Sequence, residues 1–266
     1  MSSRANAATR KLTTAARTAA QSVIAERGGI GVAVGFYVIV VSVLSGLWRV
    51  AAHANGGRLA GYSAVAITWY IATTECAVVS LNIRMIDDIG RDIGSGAVAV
   101  ELLRPASVVA VRVATEVGRA LPRLTALAVA AVVVASLEAG APPRPVTLLL
   151  AYPSLVLAIA VNIVAQHAFA AAAFWLRDAG STWFLYQKLV FILGGMLIPL
   201  EALPGWLHGA ANALPWRAMA YVPARLASGH LEPVLLLEQV AWLVALGAIA
   251  AAIFGAGQRR LQVVGG

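Results

Sequence analysis

Six long apolar stretches decide what this chain can become: residues 30–47, 62–82, 106–138, 146–176, 183–200 and 233–256. A helix of about 20 apolar residues crosses the ~30 Å hydrocarbon core of a bilayer, and each stretch approaches or exceeds that length. Sixty per cent of the residues are hydrophobic, 12% are charged and the mean hydropathy is +0.81. A soluble domain of this size has too little interior to hide so much apolar surface, whereas lipid solvates it. The chain therefore reads as an all-α integral membrane protein with six transmembrane helices. Residues 1–29 form a cytoplasmic or interfacial N-terminal segment, 30–256 the six-span domain and 257–266 a cytoplasmic C-terminal tail.

Charge sets the orientation. Fifteen of the 20 basic residues fall in segments on the side of the termini: five in 1–29, six in 83–123, two in 177–188 and two at 259–260. The other five are Arg49, Arg58, Arg144, Arg217 and Arg225. Cytoplasmic loops carry the excess of Lys and Arg, so both termini are expected in the cytoplasm. The first 29 residues hold no acid before Glu26, but the following apolar run is longer than a signal-peptide core and reads as an uncleaved span. Residues 10–26 read as a weakly amphipathic helix on the inner surface. The net charge of +8 accompanies no aromatic-interleaved basic patch, which argues against nucleic acid. Arginine outnumbers lysine and alanine is abundant, as in GC-rich bacterial sources, and a bacterial plasma (inner) membrane is the expected location.

Catalytic and metal chemistry find no support. The single cysteine, Cys76, lies inside an apolar run, so neither a disulfide nor a cysteine zinc site can form within the chain. No phosphate-binding G-x-x-x-x-G-K-[ST] loop is present, since Lys11 and Lys188 are each followed by leucine. No paired carboxylates, Ser/His/Asp set or metal-ligand cluster stands out, so the chain is expected to carry no catalytic or metal site and no cofactor of its own.

The most charged run, IRMIDDIGRDIGSGAVAVELLRP over residues 83–105, separates the second and third apolar stretches. Ile83, Ile86, Ile89 and Ile93 recur at helical spacing and make one face. Arg84, Asp87, Asp88, Arg91 and Asp92 make the other, with Arg84–Asp88 and Asp87–Arg91 spaced for helical ion pairs. Gly94 and Gly96 are expected to break the helix, and Glu101 to Pro105 to form one further turn. Such a helix rests its apolar face on lipid and offers its charged face to water or to a soluble partner.

Within the spans, Glu75 is an ionisable group at mid-depth, and Asn162 and Gln166 share a helical face. Such groups either bond neighbouring helices together or line a path for a substrate. The stripe Arg112, Glu116, Arg119, Arg123 is either a headgroup-facing surface or the wall of an inner vestibule, and Pro122 should kink its helix. Residues 198–230 hold four prolines, and their short apolar runs cannot make a full span. They suit broken helices dipping into the outer leaflet.

The 83–105 loop ending in ELLRP, and the later IPL…LPGWL…LPWRAM…P, resemble the permeases of type-2 ATP-binding-cassette (ABC) exporters. The resemblance implies a cytoplasmic coupling helix between spans two and three, with Arg84, Asp87, Asp88, Arg91, Asp92, Glu101 and Arg104 meeting an ATPase. It implies an extracellular gate of broken helices between spans five and six, built around Pro199, Pro204, Trp206, Leu207, Leu214, Pro215 and Trp216. It further implies two ATP-binding subunits carrying ATP and Mg, and a second permease, different or identical, meeting this one along spans two and five. Glu75, Asn162 and Gln166 would then be candidates for the path of an exported amphipathic or lipophilic compound. A secondary transporter and a non-transporting scaffold or immunity protein are the alternatives.

Overall fold

The computed structural model describes residues 2–98, 107–176 and 180–264. Among them are ten α-helices and one hairpin of two-residue strands, so the chain is all-α in class. Helix α1 (Ser2–Ala25) turns at Glu26 into α2 (Arg27–Ala54). The hairpin of β1 (Arg58–Leu59) and β2 (Tyr62–Ser63) leads into α3 (Ala64–Val79), whose first turn is capped where the Ser63 hydroxyl accepts from the Ala66 N–H at 3.2 Å. Helix α4 (Met85–Gly94) precedes the long α5 (Val108–Ala139), which Ser107 caps. Next come α6 (Leu148–Ala170), flanked by 3-10 turns at Pro145–Thr147 and Ala171–Phe174, and α7 (Gly180–Leu193). The broken segment holds α8 (Gly205–Ala213) and α9 (Tyr221–Ala227), with 3-10 turns at Leu200–Ala202 and Pro215–Met219; α10 (Val234–Val264) closes the fold.

Four stretches are long and apolar enough to cross a membrane: Gly28–Ala54, Val108–Ala139, Pro145–Phe174 and Val234–Gly257. The remaining two expected spans are shorter as helices than as apolar runs. Helix α3 has 16 residues and α7 has 14, or about 24 and 21 Å at 1.5 Å per residue. The hairpin takes the first residues of one, and the turn at Gly194–Gly195 ends the other. Gly195 sits at φ +67°, and a Cβ there would lie 2.8 Å from the Tyr70 hydroxyl.

Burial separates the centre from the walls. Every α3 residue from Ala66 to Ala77 is buried within the chain itself. That leaves α3 only its ends, Ala64, Val65, Val78 and Val79, as surface for a permease–permease seam. Helices α2 and α10 instead expose apolar side chains, among them Phe36, Ile39, Val43, Leu237 and Val244, as lipid-facing walls do.

Helix α1 also departs from expectation. It packs lengthwise against the first half of α5, with Ala19 buried, and does not simply rest on a surface. Gly118 makes the contact possible, since a Cβ there would stand 2.1 Å from the Ala16 carbonyl oxygen. Small residues at helix crossings let backbones approach in this way. Pro122 lies inside α5 and has no N–H to offer the carbonyl of the residue four before it, again Gly118.

Candidate functional site

Among the polar clusters of the described residues, three bear on the candidate sites, and they differ in how completely they are bonded. The first is α4. Met85, Ile86, Ile89 and Ile93 are buried against α6 and the 3-10 turn Ala171–Phe174, so this face sits on protein and not on lipid. Ile83 lies before the helix and is exposed, with Met85 taking its place on the apolar face. The ion pairs also shift: Arg91 pairs with Asp88 one turn earlier, and Asp92 reaches across to Arg112 at 2.7 Å. Arg84 and Asp87 make no salt bridge among the described residues. The Arg91 side chain is 74% exposed. Gly94 is still helical, and it is Gly96, at φ +76°, whose N–H closes the end onto the Ile93 carbonyl. Glu101 and Arg104 lie outside the described residues.

The second cluster lies between α6 and α7. Gln166 donates to the Asn162 side-chain oxygen at 2.9 Å, and the Tyr186 hydroxyl donates to the same oxygen at 2.7 Å. These groups satisfy one another and bind the two helices, as buried amides in membranes commonly do. They border a cavity of only about 70 Å³. Glu75 is also buried, but no hydrogen bond links it to Asn162 or Gln166. The three candidates for a substrate path are therefore not one constellation.

The third cluster was not legible as a unit in the sequence. Arg225 donates to Glu201 through Nη1 and to both Glu232 carboxylate oxygens through Nε, at 2.5, 3.1 and 3.2 Å. Tyr221 and Tyr62 also donate to Glu201, at 2.7 and 3.2 Å. Three segments far apart in sequence meet on one guanidinium, which ties the β-hairpin to both ends of the broken segment. The Arg225 hydrogen bonds hold the Glu232 carboxyl below its ordinary range, while burial and the same cation keep His230 below its own. A second fastening was equally hidden. Gln239 donates to the Ala218 carbonyl at 2.8 Å and to that of Ser154 at 3.1 Å, and the Ser154 hydroxyl donates back to Gln239 at 2.8 Å.

The broken segment itself follows the sequence pattern. Pro199 and Pro204 precede its first two helical pieces, and Leu214–Pro215 separates α8 from the next. Trp206 is 77% exposed, whereas Pro215 and Trp216 are buried; Leu207 is half-buried and Leu214 exposed. The Trp216 ring packs edge-on to Tyr186 and Phe169, with centroids 5.5 and 5.6 Å away. Tyr186 also bonds Asn162, so the segment reaches into the bundle and meets the second cluster.

The ABC-2 family transporter protein signature matches residues 36–265, nearly the whole chain. The chain belongs to the ABC-2 transporter family. It is accordingly a multi-pass membrane protein and the permease part of an ABC transporter, of a type that works with an ATP-binding subunit and is itself normally non-catalytic. No curated protein and no solved structure gives a match.

Proposed function

We propose that this ABC-2 chain exports an amphipathic or lipophilic compound and that α4 is where its ATPase pushes. The carrying observation is the seating of α4: four apolar side chains are anchored in the bundle while Asp88 and Arg91 face outward. A helix fixed on one face and free on the other passes a displacement to α6 and keeps its charges for recognition. An apolar recess of about 350 Å³ lined by Trp69, Val132, Tyr152 and Leu155 supports a lipophilic cargo. The broken segment would gate the exit. The ATPase, present in two copies, supplies ATP and Mg, and a second permease, different or identical, completes the pathway.

This reading needs α3 and α7 to cross despite their length, giving six spans with both termini in the cytoplasm of a bacterium. A cysteine at Ser95 in a Cys76-free background should resist membrane-impermeant thiol reagents in intact cells, and one at Ala141 should label. The opposite pattern overturns the topology. For coupling, Asp88→Lys with Arg91→Glu should leave insertion intact but lower ATPase co-purification and ATP-driven transport in liposomes. Full association and transport in the double variant would reduce α4 to a structural element. Transport by the wild type with no ATPase present would make the chain a secondary transporter.

A further inference from the structure

At the α4 end of the bundle two adjoining cavities of about 380 and 370 Å³ share Asn82, Met85, Glu116 and Arg119 in their walls. Both fall within the ~300–1,000 Å³ range of ligand pockets. The stripe Arg112, Glu116, Arg119, Arg123 thus lines half-open cavities rather than a flat headgroup surface.

The second cavity is electrically unbalanced. Its charged residues are Arg84, Arg119, Arg123 and a single acid, Glu116, which is paired with Arg119 at 2.5 Å. Arg84 and Arg123 have no acidic partner among the described residues, and the Arg123 Nε–H is buried with no acceptor. A buried guanidinium donor without an acceptor costs stability unless an anion supplies one. Val23, Leu81 and Ile163 give the same cavity an apolar side.

The first cavity carries the complementary need. His167 is fully buried, and its Nδ1 lies 2.8 Å from the Ile163 carbonyl, which only accepts, so that nitrogen holds the proton. The lone pair of the neutral ring is then on Nε2, a buried atom without a partner, and the His167 ring lies in the wall of this cavity. An unused acceptor calls for a hydroxyl. The shared wall places the cation-rich and hydroxyl-seeking halves side by side.

We propose that the joined cavities bind a phosphoglycerol group. The phosphate would lie against Arg123 and Arg84, a glycerol hydroxyl would donate to His167 Nε2, and the ester stem would leave along the apolar side. Basic pockets between helices take anionic headgroups by this chemistry. The site does not depend on the exporter reading, because binding is measured without ATP or ATPase.

The test uses the full-length protein in nanodiscs of equal phosphatidylcholine and phosphatidylglycerol, with retained lipid identified by native mass spectrometry. Wild type should keep phosphatidylglycerol over phosphatidylcholine. Arg123→Gln should lower that preference about tenfold, the effect of one lost charge-assisted hydrogen bond. Arg58→Gln, at the hairpin end, should retain it. A second arm adds sn-glycerol 3-phosphate to discs of phosphatidylcholine alone. A rise in wild-type unfolding temperature that Arg123→Gln abolishes identifies a soluble ligand, and no rise alongside retained phosphatidylglycerol identifies the lipid. If Arg123→Gln does not accumulate, Arg84→Gln replaces it, since that side chain is exposed and unbonded. The proposal fails if wild type shows neither lipid preference nor stabilisation by glycerol phosphate, or if the folded arginine variants keep the wild-type preference.

Discussion

The two ends of this molecule use the same kinds of side chain to opposite effect. At the hairpin end, Arg225 is surrounded by Glu201, Glu232, Tyr62 and Tyr221, and each group answers another. At the α4 end, the charged side chains of Arg84, Asp87 and Arg123 have no ion-pair partner among the described residues, and Arg91 points away from the fold. A closed cluster contributes to the fold and has little capacity left for other molecules. Unanswered charges, by contrast, are features of surfaces and sites that meet something else. The comparison assigns fastening to one end and recognition to the other.

The strongest way to break this assignment is Arg225→Ala. Removing the hub leaves Glu201 and Glu232 uncompensated in a half-buried setting, so the loss should be about 2–3 kcal/mol, read from unfolding in detergent. A change no larger than that of an ordinary surface substitution would mean the cluster fastens nothing. Gln239→Leu should come next, at about 1–2 kcal/mol, because the Ala218 carbonyl loses its buried donor. A neutral result would show that the broken segment is held mainly by Trp216.

Acidification should distinguish the ends without any mutation. Glu232 and His230 both have folded-state values below their ordinary ones, so the unfolded chain binds more protons as the pH falls. The His230 contribution should fade first, below the ordinary histidine range, and that of Glu232 only below the ordinary carboxylate range. Both effects should shrink in Arg225→Ala, and stability that is flat from pH 7.5 to pH 4 would contradict the sign. The smallest expected effect belongs to the α4 end. The Asp88/Arg91 double reversal should change stability by less than about 0.5 kcal/mol, as exposed ion pairs do. A loss above 2 kcal/mol would move α4 from recognition to fastening.

What the sequence showed and concealed follows from the range of the interactions. The α4 helix was legible because its isoleucine repeat and its charges are local, and the broken segment because proline and tryptophan declare themselves. What Ile86 and Ile89 rest on was not legible, since lipid and α6 are equally apolar partners. Arg225, Glu201 and Tyr62 meet across 163 residues, and no spacing rule links them. Gly118 read as an ordinary helical glycine because Ala16 contacts it from another helix. The lengths of α3 and α7 were overestimated because apolar content continues past the points where a cap and a glycine turn end the helices.

In the six-span topology proposed above, the shortness of α7 has a consequence for the surrounding membrane. A helix of about 21 Å beside a ~30 Å hydrocarbon layer leaves a mismatch that the lipid must absorb by thinning, unless the short pieces following Gly195 fill it. Those pieces carry the exposed indole of Trp206, an interfacial side chain that resists being pulled deeper. Where the mismatch is left unfilled, the bilayer around this face would deform elastically, at an energy that depends on acyl-chain length. Host membrane thickness thereby becomes a variable acting on the same segment that Arg225 and Gln239 hold in place.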